Sequence, residues 1–273
     1  MLLLLLFAQM LLSAQTKVMT YNIRNSNADK GTANAWNKRK GNLVGLIRKV
    51  NPDILGTQEV LLDQLKYLKK SLNDYESFGV GRNDGKHKGE HSALFFKKDK
   101  YEELQGGNFW LSENPQIPGS KSWDAAITRI CSWVQLKDKA TGTTFFVFNT
   151  HFDHKGKTAR RNSAALLRHT IDSLAGNNPV IVTGDFNLEP SDAGYKTMTD
   201  NKSFRVALTD SYTEGTPNYT DCGFNVSNKQ CGRIDYVFYS PPYTKSNYTL
   251  YTDNNGTCYP SDHLTLSVEL TLK

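Results

Sequence analysis

The sequence predicts an α+β domain made of two packed mixed sheets flanked by helices. Three features carry this: strand and helix periodicities alternate in the first third, strand-like runs fill the middle, and strands return after a single amphipathic helix. Its 273 residues are enough for one large domain with a full core, and no linker or repeat marks a second.

Taken in order, apolar and β-branched runs place strands at about 16–23 and 53–57, with helices at about 37–50 and 60–72. Leu43, Leu46, Ile47 and Val50 follow helical spacing, and Asn51-Pro52 stops that helix. The strand-rich middle comprises runs at about 75–80, 92–96, 127–136 and 143–149. A helix follows at about 158–174, where Ala164, Leu167, Ile171 and Leu174 share one face and Gly176 supplies a stop. Strands near 180–184, 233–239 and 263–271 complete the domain, to roughly the last residue.

The chemistry concentrates where strands meet loops. Val180-Ile-Val-Thr183 is a continuous β-branched run, fit for a strand buried on both faces, and Asp185 follows after one glycine. Strand-like segments lead in the same way into Asn22 and into Gln58-Glu59. Asp235 interrupts an apolar alternation, Ile234 to Phe238, which is costly for an acid without a partner. Ser261-Asp262-His263 adds a further acid and an imidazole. Hard oxygen ligands brought from several strand ends are what Mg²⁺ or Mn²⁺ uses, so the pattern points to a metal-assisted hydrolase.

This ordered series resembles the endonuclease/exonuclease/phosphatase superfamily, the group with the DNase I-like fold. The resemblance runs from Thr20-Tyr-Asn22-Ile-Arg24 to Ser261-Asp262-His263, nearly the whole chain after the leader. It implies a four-layer α/β/β/α sandwich with loops converging on one edge of both sheets. It also implies roles. His263 would be the general base and Asp235 would hold its ring, while Glu59, Asn22 and Asp262 would hold Mg²⁺ or Mn²⁺. Asp185 and Asn187 would position the nucleophile or the phosphoryl group, and His151 would donate to a phosphate oxygen or the leaving group. Glu90 resembles the carboxylate that supports this histidine, and Arg24 and Arg129 would clamp phosphate. For Arg24 and Glu90, surface ion pairing is the competing reading. Trp123-Asp-Ala-Ala126 with Arg129, and Asn149-Thr-His-Phe-Asp-His154, look like a secreted subgroup whose substrate is usually unassigned.

Composition sets the context. Residues 1–14 are apolar, end on small Ser13-Ala14 and read as a signal peptide, leaving a single domain at 15–273 and a secreted or periplasmic product. A buried N-terminal segment is the alternative; the stretch falls short of the roughly 20 apolar residues a spanning helix needs. Four cysteines suit export. Cys222 with Cys231 is the preferred bridge because it closes a short polar loop, whereas Cys131 lies in an apolar run suited to a buried thiol.

The net charge of +6 favours an anionic substrate. The leading expectation is therefore a monomeric, metal-dependent phosphodiesterase acting on DNA or RNA without stable membrane insertion, with Trp110, Trp123 and Phe152 available to stack on bases. A phosphatase or sphingomyelinase-like enzyme on small or lipid phosphates is the alternative, and a catalytically silent binding protein on the same scaffold is the reading from another class.

Overall fold

A computed structural model of the chain describes residues 15–273, so the expected leader at 1–14 lies outside the described residues. The first sheet contains β1 (Gln15–Asn22), β2 (Ile54–Val60), β3 (Tyr75–Phe78), β4 (His91–Lys97), β11 (Tyr243–Tyr251) and β12 (Thr265–Leu272). Its order is β11-β12-β1-β2-β4-β3, with β1 and β2 parallel and the other neighbours antiparallel. The second sheet contains β5 (Tyr101–Trp110), β6 (Ile130–Asp138), β7 (Thr144–His151), β8 (Val180–Asp185), β9 (Thr209–Asp210) and β10 (Asp235–Tyr239), in the order β5-β6-β7-β8-β10-β9. Here only β7 and β8 run parallel.

Helices α1 (Trp36–Val50) and α2 (Leu62–Ser71) supply the connections from β1 to β2 and from β2 to β3, while α3 (Lys157–Ala175) joins β7 to β8 and a short α4 (Ala193–Met198) follows β8. Three apolar clusters fill the interlayer spaces. Met19, Leu43, Ile47 and Phe95 lie between the first sheet and its helices. Val18, Ile54, Val147, Ile181 and Val268 lie between the sheets. Phe148, Leu167, Ile171 and Phe186 lie between the second sheet and α3. The expected four-layer sandwich is therefore observed.

The expected strands and helices are present, with shifted ends, and two long strands were absent from the sequence reading. Both β5 and β11 are sheet edges. An edge strand packs less of its surface, so it needs no strict apolar alternation: β5 carries Glu102, Glu103 and Gln105 in its exposed stretch.

Toward the end of the strands that carry the site, the apolar core between the sheets gives way to amides. Gln58 Nε2 donates to Asn149 Oδ1 at 2.7 Å and to Thr20 Oγ1 at 3.2 Å. Asn149 Nδ2 donates to the Thr57 and Ala93 carbonyls at 2.9 and 3.1 Å, which ties β7 to β2 and β4 across the layer gap. Gly56 permits this approach, since a Cβ there would lie 2.1 Å from Thr183 Oγ1. The two sheets are thus locked together directly beneath the loops that bear the acids.

Candidate active site

Where these strands end, a cleft of about 360 Å³ opens between the two sheets. It is lined by residues from both, including Glu59, Arg129, His151, Asp185, Asp262 and His263. Asp185 ends β8 and Asp235 begins β10, and the antiparallel register sets them opposite each other. Asp185 Oδ2 sits 2.9 Å from Asn22 Nδ2, 3.3 Å from His151 Nε2 and 3.8 Å from His263 Nε2. Burial, then the neighbouring Asp235 charge, pushes the Asp185 carboxyl up to about 7.

Asp235 Oδ2 lies 2.8 Å from His263 Nδ1. This contact fixes the ring so that Nε2 faces Asp185 and the Asn22 amide, the latter at 3.5 Å. Burial opposes a charge on His263, but Asp235, followed by Asp185 and Asp262, outweighs it and holds the ring well above the ordinary imidazole range. His151 is opposite in character. Burial, then Arg129 and Arg82, drives it well below that range, so it is a neutral imidazole.

Glu59 reaches the cleft from the end of β2, on a backbone held at φ 62°. Arg24 and Asn187 also have positive φ, 54° and 49°, so three non-glycine residues lining one cleft adopt the left-handed region. Asn25 donates to Glu59 Oε2 through its backbone N–H at 3.0 Å and its side chain at 2.9 Å; Asn22 donates to Oε1 at 3.2 Å. Burial raises the Glu59 carboxyl, but the Asn25 N–H, the His263 charge, the Asn22 amide and the Arg24 charge outweigh it and hold the group below its ordinary value. Asp262 goes the other way: burial raises it, and repulsion from Glu59 adds to the rise although His263 and Arg24 counter it.

Two carboxylates that line one cleft, with the buried Asn22 amide 3.2 Å from Glu59 beside them, form a hard-oxygen set, and a divalent cation near Glu59 and Asp262 would relieve their mutual repulsion. Among the described residues Asn22 Oδ1 accepts the Arg24 N–H at 3.0 Å and no other donor, so it retains a second lone pair. The residues therefore fit a hard cation. A second grouping, Asp185, Asp235 and His263, brings its ligand atoms within 4.8 Å of one another. The Asp235–His263 hydrogen bond and the elevated Asp185 suit that trio to holding protons.

Arg129 precedes β6 and is buried. Its Nε lies 3.8 Å from Asp153, beyond hydrogen-bond reach, and neither Nε nor Nη1 has a hydrogen-bond partner among the described residues. Burial, then Arg82, lowers it to about 10, so it remains a cation at neutral pH. A buried guanidinium with unpartnered N–H groups beside a cleft is a place for an oxyanion. Arg24 is more committed, pairing with Asp29 at 3.1 Å and Asp262 at 3.2 Å.

Glu90 departs from expectation. It pairs with Arg82 and receives Asn25 Nδ2 at 3.4 Å, while the buried His151 Nδ1 has no partner among the described residues. The Arg82 charge on the same hairpin captures the carboxylate, bringing Glu90 into the cleft lining without seating it on His151. Asn187 is at the cleft, with its backbone N–H bonded to Asp185 Oδ1 at 3.0 Å and its side chain to the Phe152 carbonyl at 3.1 Å. Trp110 and Phe152 are buried, so neither offers a stacking face.

Sequence reasoning missed Asn25, Arg82, Gln58 and the bracing role of Asp153. Asp153 accepts from the Ala126, Ile127, Lys155 and Gly156 backbone N–H groups, and these outweigh burial and lower its carboxyl to about 2. The one available signal was its place within the 149–154 motif. The preferred Cys222–Cys231 bridge is present, and Cys131 is a buried free thiol.

A polar cleft that combines a His–Asp pair, an oxyanion-ready arginine and a hard-oxygen set defines a phosphoester-hydrolase type of site. The chain belongs to the endonuclease/exonuclease/phosphatase family, whose sequence profile matches residues 19–263 and whose members hydrolyse phosphoesters. Among solved structures, a family member from Bacteroides thetaiotaomicron is 39% identical with a TM-score of 0.89, covering 96% of this chain and 99% of its own. The mannosyl-6-phosphatase of Bacteroides thetaiotaomicron is also 39% identical, with a TM-score of 0.87 and 93% and 99% covered. Human nocturnin is 27% identical over 260 residues, 85% of this chain and 57% of nocturnin. The chain thus spans 42% of Drosophila melanogaster nocturnin and 57% of the human protein.

Proposed function

We propose that the chain hydrolyses the ester of a small organic phosphate, a sugar phosphate or similar, rather than nucleic acid. The carrying observation is Arg129: a buried cation with two unpartnered N–H groups at a cleft of about 360 Å³, whose lining includes no Phe, Tyr or Trp among the described residues. Strand-tracking sites use aromatic platforms for bases, and no Phe, Tyr or Trp among the described residues supplies one in this lining. The neighbour named a mannosyl-6-phosphatase, 39% identical along nearly its full length, supports the same reading.

In this reading Arg129 binds and orients the phosphoryl oxygens. In its neutral form, populated as pH rises through its elevated range, His263 Nε2 takes a proton from the attacking water, and Asp235 stabilises the resulting imidazolium through Nδ1. Asp185, between the two imidazoles, holds a proton where it passes toward His151 and the departing alcohol. Glu59, Asn22 and Asp262 would hold a Mg²⁺ or Mn²⁺ ion, which when bound neutralises charge on the phosphoryl group. The test is release of inorganic phosphate from hexose 6-phosphates by enzyme stripped with EDTA and then resupplied with Mg²⁺. Activity that survives stripping removes the metal, and no phosphate release in either state removes the reading.

We also propose export through a leader ending at Ala14, a reading that the disulfide supports. Amino-terminal sequencing of the mature product should begin at Gln15.

A further inference from the structure

His154 lines the cleft, is exposed, and takes no part in the chemistry proposed above. Its Nδ1 lies 3.2 Å from Arg129 Nη2. Arginine offers only donors, so Nδ1 must accept and the single ring proton must sit on Nε2. Partial burial, then the Arg129 charge, lowers the affinity of the ring for a second proton. The segment behind it is firmly held. Asp153 binds four backbone N–H groups from both flanking loops, and Asp124 accepts from Thr158 at 3.1 Å and Ala159 at 2.6 Å at the start of α3. The imidazole therefore presents one N–H donor of fixed identity at a cleft that binds phosphate. Asp221, exposed and in the same lining, adds a carboxylate acceptor. A donor and an acceptor together are what hydroxyl groups require.

We propose that His154 is a specificity-determining residue that donates from Nε2 to a hydroxyl of the substrate's alcohol portion, so the site prefers phosphate esters of polyols over esters without hydroxyls. This rests on the small-phosphate reading. One neutral hydrogen bond of this kind corresponds to about tenfold in kcat/KM.

The experiment measures kcat and KM on a hexose 6-phosphate and on p-nitrophenyl phosphate for the wild type, His154→Ala and His154→Gln. The expected result is a loss for His154→Ala that is about tenfold larger on the sugar ester, carried mainly by KM. His154→Gln should recover most of it, since its amide accepts from Arg129 and still donates. Equal losses on the two substrates, or a Gln variant no better than Ala, overturn the assignment of His154 while leaving the small-phosphate reading intact. A wild type that leaves the sugar ester uncleaved overturns both.

Discussion

Replacing Asp235 with Asn separates catalysis from folding more sharply than any other single change at this site. The shape is preserved, yet the carboxylate 2.8 Å from His263 Nδ1 becomes an amide able to donate there, and donation would force the ring proton onto Nε2, the atom needed as acceptor. Loss of the correct tautomer in a His–Asp pair costs roughly 10³–10⁴ in kcat, or about 4–5.5 kcal/mol of transition-state stabilisation. Stability should move little. Among the described residues Asp235 Oδ1 is buried without a hydrogen-bond partner, and its charge contributes to holding Asp185 up at about 7, so removing that charge relieves one strain as it breaks one contact. The net change in unfolding free energy should stay within about 1 kcal/mol. The sign on pH is also fixed. Asp235 raises the proton affinity of His263, so the acid limb of the residual kcat/KM profile should shift to lower pH in the variant. Initial rates across pH and a urea titration on the same preparation provide the readout. Activity within tenfold of wild type would refute the dyad, and so would an activity loss that tracks a lowered urea midpoint.

Other consequences are testable alongside. Arg129→Lys keeps the charge but loses the planar fork, so KM for a phosphate ester should rise at least tenfold with kcat less affected; an unchanged KM would remove Arg129 from phosphate binding. Glu59→Gln should weaken metal binding by about two orders of magnitude in a Mn²⁺ titration, because it deletes the ionised oxygen pair ordered by Asn22 and Asn25. Asp153 is held at about 2, below the ordinary carboxylate value, so its stabilisation is complete above about pH 4 and fades as pH falls toward 2. Asp153→Ala should therefore cost about 2–4 kcal/mol at pH 7, and the gap from wild type should narrow in acid; a gap independent of pH would contradict this.

The strands that carry Asp185 and Asp235 were legible because each reads as an apolar run broken by one acid. Burial on both faces leaves few other sequences that fit. The order of Asn22, Glu59, His151, Asp185, Asp235 and His263 then made the family visible. Partners across the fold were not legible. Glu90 meets Arg82 because a hairpin closes between them, with Arg82 N–H bonded to the Glu90 carbonyl at 3.0 Å, and no spacing rule encodes which charge wins. Asn25 matters by donating to the Glu59 carboxylate and Asp153 by accepting from four backbone N–H groups, and only the folded loops define where those partners lie. Edge strands β5 and β11 escaped because exposure removes the apolar alternation that marks a strand. The charge of +6 pointed toward nucleic acid, whereas the proposed function takes a smaller anion because the cleft lining has no Phe, Tyr or Trp among the described residues.

The most direct measurement sets kcat/KM for a hexose 6-phosphate against kcat/KM for a short single-stranded oligonucleotide, with Mg²⁺, in wild type and His263→Ala. The proposed function predicts that the sugar ester is preferred by at least a hundredfold and that the alanine variant loses at least a thousandfold of that activity with its fold retained. Faster cleavage of the oligonucleotide, or sugar-phosphate hydrolysis untouched by the loss of His263, would contradict it.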